Sequence, residues 1–159
     1  MPNMKPDLEQ RCNELYDELA PEIREKLAAL ETTTTFPAGA QIMRSGVHPD
    51  NLIIITAGLV EISLPVAKGA FSLVLAGKGK VLGLRSLISE ALPETDVTAL
   101  EATTVALIPE KEFLRLLHEY PQMYLAIAKV LSGDLNTADR LLRQVVVNAP
   151  GKRVSSRAV

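Results

Sequence analysis

The chain is poor in the residue types on which most site chemistry depends: 159 residues contain one cysteine, two histidines and no tryptophan. A single thiol, Cys12, closes no internal disulfide and supplies no ligand set for structural zinc or an iron–sulfur cluster. His48 and His118 stand seventy residues apart, outside any H-x-H or H-E-x-x-H spacing, so a catalytic metal has almost no ligands to draw on. A charge excess is also missing. With 17 Lys+Arg against 19 Asp+Glu the net charge is −2, which gives no global attraction to nucleic acid. The longest uncharged stretch, Thr32 to Met43, is twelve residues with four threonines and a proline. A helix crossing a bilayer needs about twenty mostly apolar residues. The first thirty residues carry Asp7, Glu9, Glu14, Asp17, Glu18, Glu22 and Glu25, the reverse of a secretory signal, so a cytoplasmic protein is expected.

What remains has the ordinary balance of one globular domain, 47% hydrophobic and 23% charged. Residues 1–31 read as a helical lead-in. Leu15, Leu19, Ile23, Leu27 and Leu30 recur at helical spacing, and Pro21 divides the pattern into two short helices meeting near Ala20, the first capped by Asp7. Residues 32–110 change period. Glycines at 39, 46, 58, 69, 77, 79 and 83 punctuate short runs rich in Ile, Val, Leu and Thr, the pattern of an antiparallel roll of roughly eight strands. Leu52-Ile53-Ile54-Ile55-Thr56 is apolar on both faces and reads as a central strand. Val60, Ile62 and Leu64 alternate with polar neighbours as a half-exposed strand does, and Phe71, Leu73 and Leu75 repeat the pattern. Gly58, between two such segments, is assigned to a tight hairpin. Val97, Ala99, Thr103, Val105, Leu107 and Ile108 complete the later strands.

Residues 111–148 return to helix. Phe113, Leu116 and Leu117 form the inner stripe of a short one, which stops before Pro121. Tyr124, Ala128, Leu131, Leu135, Ala138, Leu142 and Val145 then follow at alternating four- and three-residue spacing, the repeat that keeps one seam facing a partner helix. The span from Pro121 to Val147 would extend roughly 40 Å, which overhangs a domain of this size and points to a two-fold homodimer. Residues 149–159 read as a hinge-like tail around Pro150-Gly151. The fold class is α+β, mainly β with flanking helices.

One long motif is specific. Phe36-Pro37-x-Gly39-x-x-Ile42-x-x-x-Gly46-x-x-x-Asp50-x-Leu52-x-Ile54-Ile55-x-x-Gly58-x-Val60-x-Ile62 resembles the opening of a cyclic-nucleotide-binding domain of the Crp/Fnr family of bacterial regulators. The resemblance continues through Gly83, Leu107-Ile108-Pro109, Phe113 with Leu117 and Tyr120-Pro121, and covers residues 8 to 148. It implies a double-stranded β-helix, or jelly-roll β-roll, followed by a long dimerisation helix.

The resemblance also implies where a ligand belongs. Cyclic-nucleotide-binding members hold the ribose with a Gly-Glu pair and neutralise the phosphate with an Arg followed by a hydroxyl residue and Ala, roles that need an acceptor and a permanent cation. Here Leu84 follows Gly83, and the Arg position falls on Pro93, with Glu94, Thr95 and Asp96 beside it. Arg85 is the one cation in the segment, and Arg85, Ser86 and Thr95 either line a polar pocket or border a roll filled by its own side chains. The hydroxyl pair that contacts the purine falls on Ala138 and Asp139. The chain resembles relatives that have lost the nucleotide cassette, so cAMP and cGMP are not expected ligands and any small-molecule effector is unassigned. The clustered cysteines of oxygen-sensing members and a haem-ligating histidine in the roll are missing from the pattern, and no cofactor is called for.

Three functions are weighed. The first is a non-enzymatic sensor module signalling through its paired helix. The second is the N-terminal portion of a DNA-binding transcription factor, because Asn148 to Val159 holds only three cations, too few to read DNA directly. The third is a cupin-like enzyme, disfavoured by the two distant histidines.

Overall fold

The computed structural model describes residues 13–148, apart from the side chains of residues 138 and 145–148. Its organising element is β3 (Asn51–Ala57), a strand buried at four successive positions from Leu52 to Ile55. A strand points successive side chains to opposite faces, so four buried positions in a row require cover on both sides. The two faces serve different cores. Leu52 and Ile54 join Ala106 and Ile108 of β8 (Thr103–Pro109) beneath the helices. Ile53 and Ile55 join Val105 of β8 and Val60, Leu82 and Val97 inside the roll.

β3 and β8 are the middle of a four-stranded antiparallel sheet ordered β1-β8-β3-β6, with β1 spanning Thr32–Phe36 and β6 Val81–Leu82. The facing sheet is ordered β2-β7-β4-β5, from Gln41–Met43, Asp96–Ala99, Leu59–Val66 and Gly69–Gly77. Eight strands in two sheets, with helices covering one of them, are the expected roll.

Two local expectations are corrected. Gly58 makes no hairpin: β3 and β4 lie in different sheets, and the glycine is the step between them. Its φ is +106°, and a Cβ there would fall 2.5 Å from Thr103 Oγ1 and 2.7 Å from Thr103 Cα, so the crossing is too close for a side chain. The apolar alternation of β4 and β5 also breaks. Ile62 opposes Val74 and Ser63 opposes Ser72, which leaves Leu73 without an opposite residue. Beyond this bulge the faces exchange: Ser63 is buried while Leu64 and Phe71 are exposed, and Leu75 shares the outer face with Glu61.

The lead-in is shorter than two helices among the described residues. A single 3-10 turn, Tyr16–Glu18, precedes α1 (Pro21–Leu30), whose Ile23 and Leu27 are buried. Asn13 caps the turn, its Oδ1 accepting from the backbone N–H groups of Leu15 and Tyr16 at 3.0 and 2.8 Å. Asp7 and Cys12 lie outside the described residues. After the roll's cassette helix α2 (Leu84–Ser89), α3 (Glu110–Glu119) buries Phe113, Leu116 and Leu117 as its stripe requires. The final helix, α4 (Met123–Asn148), begins two residues beyond Pro121 and runs 26 residues. It docks through Met123, Ala126, Ile127 and Val130. Its other face carries the exposed side chains of Tyr124, Leu135 and Leu142, at 53, 70 and 65%. No helix among the described residues is long and apolar enough to cross a membrane.

Candidate functional site

The cassette runs from Gly83 to Asp96. Gly83 is the N-cap of α2 with φ +91°, a left-handed turn that carries the chain from β6 into the helix. A Cβ at Gly83 would meet Asn51 O and Pro49 Cγ at 3.5 Å, so the loop between β2 and β3 lies against it. Leu84 and Ser86 are buried, at 3 and 5% exposure, and Leu84 belongs to the core beneath the helices. Arg85 points to solvent and makes no side-chain hydrogen bond or ion pair among the described residues. The acids nearby in sequence, Glu90, Glu94 and Asp96, do not bind it.

The far end of the cassette is closed from the same side. Pro93 is buried, and its carbonyl accepts from Gly46 N–H at 2.9 Å. Asp96 Oδ1 accepts from Ser45 N–H at 2.7 Å, a charge-assisted bond that fixes the carboxylate beside the Pro93 position. Glu94 is exposed and Thr95 half-buried. Gly83 and the segment 93–96 are therefore brought together indirectly, each seated on residues 45–51. Asp139 does not join them: it is exposed on α4 and paired with Arg143 at 3.2 Å. The side chain of Ala138 lies outside the described ones.

The β2–β3 loop is what sequence reasoning under-read. Val47-His48-Pro49-Asp50 signals a surface turn, and its bonds to the cassette have no sequence signature. His48 Nε2 lies 3.0 Å from Glu110 Oε1, which ties the loop to the start of α3. Beside this loop opens a cleft of about 370 Å³ with an apolar floor of Phe36, Ile42, Ile53 and Leu107. No residue of the 83–96 cassette lines it. His118, in the last turn of α3, is exposed. Among the described residues no three His, Cys, Asp or Glu side chains are grouped to hold a metal.

Pro93 is buried and uncharged, and Arg85, the one cation between residues 83 and 96, faces solvent. The arrangement offers buried hydroxyl and backbone groups at Ser86 and Gly83, and a negative rim at Glu94 and Asp96.

Comparison with known proteins places this geometry. The family model described as "Cyclic nucleotide-binding domain" matches residues 33–120. The Thermus thermophilus catabolite activator protein superposes with a TM-score of 0.72 at 25% identity, over 84% of this chain and 63% of that one. The present chain thus spans less than two thirds of that regulator's length. The sensor domain of the transcriptional regulator DNR from Pseudomonas aeruginosa superposes at 0.64 with 18% identity, over 84 and 86% of the two chains. The regulatory subunit of a cAMP-independent protein kinase A from Trypanosoma brucei superposes at 0.66 with 19% identity, over 82 and 47%. No curated protein matches the sequence. From roll, cassette and long helix together, the chain belongs to the cyclic nucleotide-binding domain family, in the form carried by regulators of the Crp/Fnr type.

Proposed function

We propose that the chain is a non-enzymatic, cytoplasmic regulatory module that signals through paired α4 helices and does not bind cAMP or cGMP in the family's usual way. What supports this reading is the position the resemblance gives to the phosphate's cation, which falls on Pro93: the proline is buried and the Asp96 carboxylate accepts from the Ser45 amide close by. A cyclic phosphate seated there meets like charge in a partly desolvated site. Even at an effective dielectric near 20, two unit charges 4 Å apart repel by about 4 kcal/mol. Arg85 does not offset this, because it faces solvent one residue into α2. The apolar residues left on the outer face of α4 support the pairing: Tyr124, Leu135 and Leu142 are exposed within one chain.

Calorimetric titration with cAMP and cGMP, run beside thermal melts and sedimentation, tests both halves. The expected result is a dimer with no heat of binding and no rise in melting temperature at saturating nucleotide. A ligand at a hundred times its Kd stabilises by about 2.7 kcal/mol, so a rise of several degrees would contradict the lost phosphate site.

A second reading has one observation in its favour. The catabolite activator protein extends well beyond the region matched here. If this chain is likewise followed by a helix-turn-helix, α4 leads into a DNA-binding output, and the reading frame after Val159 decides the matter.

A further inference from the structure

The fully buried apolar docking of α4 ends at Val130, with Leu131 partly buried against the same core, and from Lys129 onward ionic contacts join it. Lys129 Nζ lies 3.1 Å from Glu18 Oε2. One turn further on, Lys80 Nζ lies 2.5 Å from Asp134 Oδ1 and 3.5 Å from Glu14 Oε1. The Lys80 side chain is 22% exposed, against 56% for Lys129, so the Lys80 cluster is the better shielded of the two. Past Asp134, residues 135–137 and 139–140 are all exposed.

Lys80 is also anchored at its backbone. Its carbonyl accepts from Ile55 N–H at 2.9 Å, which registers it on the central strand β3. The next residue, Val81, donates its N–H to Glu14 Oε1 at 2.8 Å, and Glu14 donates its own N–H to Gly79 O at 3.0 Å. Val81 and Leu82 then form β6, and Gly83 opens the cassette. One lysine therefore stands three residues from the cassette along the chain, with its ammonium on α4 and on the lead-in.

We propose that Lys80 is a positioning residue that couples the state of the cassette to α4, through the Glu14–Lys80–Asp134 charge cluster. The proposal rests on the reading of α4 as the output helix and adds the link by which the roll reaches it. The chemistry is asymmetric. With the ammonium present, two carboxylates share one cation. Without it, Glu14 and Asp134 repel each other across the joint, and the helix is pushed from the roll. Burial raises the Glu14 carboxyl above its usual range; the Val81 amide and the Lys80 ammonium work against that shift. The lysine thus supports a carboxylate that its surroundings disfavour.

Amide hydrogen exchange, resolved along the chain, provides the test. Lys80→Met is expected to speed exchange in α4 from Val130 to Leu135 by about tenfold or more, while the β3 and β8 amides keep their rates. Lys80→Arg retains the charge and should keep the wild-type pattern. Unchanged exchange in α4 of Lys80→Met overturns the proposal. So does an equal rise throughout the chain, which marks a merely structural residue. Coupling to the cassette is read with Gly83→Ala, for which there is space but not a favourable φ, so the strain enters at the cassette without a clash. Gly83→Ala should loosen α4 when Lys80 is present and add nothing to Lys80→Met; additive effects overturn the coupling. Exchange is read in each copy of the chain, so these results stand apart from the nucleotide titration and the sedimentation that test the proposed function.

Discussion

Glu14 shows how much a single side chain carries at this joint, and it makes stability depend on pH. Burial raises its carboxyl pKa above the ordinary 4.5, against the opposing pull of the Val81 amide and Lys80. The native chain therefore binds more protons than the unfolded one as pH climbs from that ordinary value to the raised one. In this window stability falls as pH rises, because the native state must surrender a proton it held. Glu14→Gln keeps an acceptor for Val81 and has no proton to lose. Thermal melts from pH 4 to 7 should show wild type losing stability relative to Glu14→Gln as pH rises; a difference independent of pH would contradict the burial of this carboxyl. Little of this was legible in the sequence, where Glu14 is one of eight acids in the lead-in of residues 1–31. Its partner Lys80 lies 66 positions away, beyond five strands of the roll, and no local pattern connects them. The acids at 94 and 96 stand out in the sequence, because the resemblance sets them beside the position it gives to the phosphate's cation. That Asp96 is bonded to the Ser45 amide was not, since backbone partners leave no trace in side-chain identity.

At the scale of the element, α4 carries a docked face and an exposed one. The seam of Tyr124, Ala128, Leu131, Leu135 and Leu142 is largely the face left outside, while Met123, Ala126, Ile127 and Val130 dock inside. If the seam pairs two copies, Leu135→Glu with Leu142→Glu should raise the dimer Kd by about a hundredfold, since each charge must be desolvated on pairing. Both side chains are exposed within one chain, so the roll's circular dichroism should not change. A dimer that sediments unaltered would remove the seam from the interface. The strands were legible by class but less so by face. β3 announced itself, because four buried positions in succession need two covers. β4 and β5 misled, because the bulge at Leu73 exchanges inside for outside and a period-2 pattern has no means of signalling an unpaired residue. Gly58 was read as a hairpin for a related reason: a glycine between two strands declares a positive φ, not which sheet the next strand enters.

At the level of the whole molecule, the order of helix, roll and helix was readable from the change of period, and the shared motif pointed to the roll but not to which sheet each strand enters. The contacts between distant segments were not, for they depend on which loop settles on which. The clearest case is β3 with β8, whose backbones form the common wall of two hydrophobic compartments. Ile54 faces the helices and Ile53 faces the roll, one residue apart, so Ile→Val at either should lower stability by a similar amount, about 1 kcal/mol, and leave one cooperative transition. Two separate transitions in urea would mean that the compartments melt apart. A partition with no insulating layer has a further implication: anything that shifts the interior of the barrel displaces a strand whose reverse side is already the floor on which the helices stand.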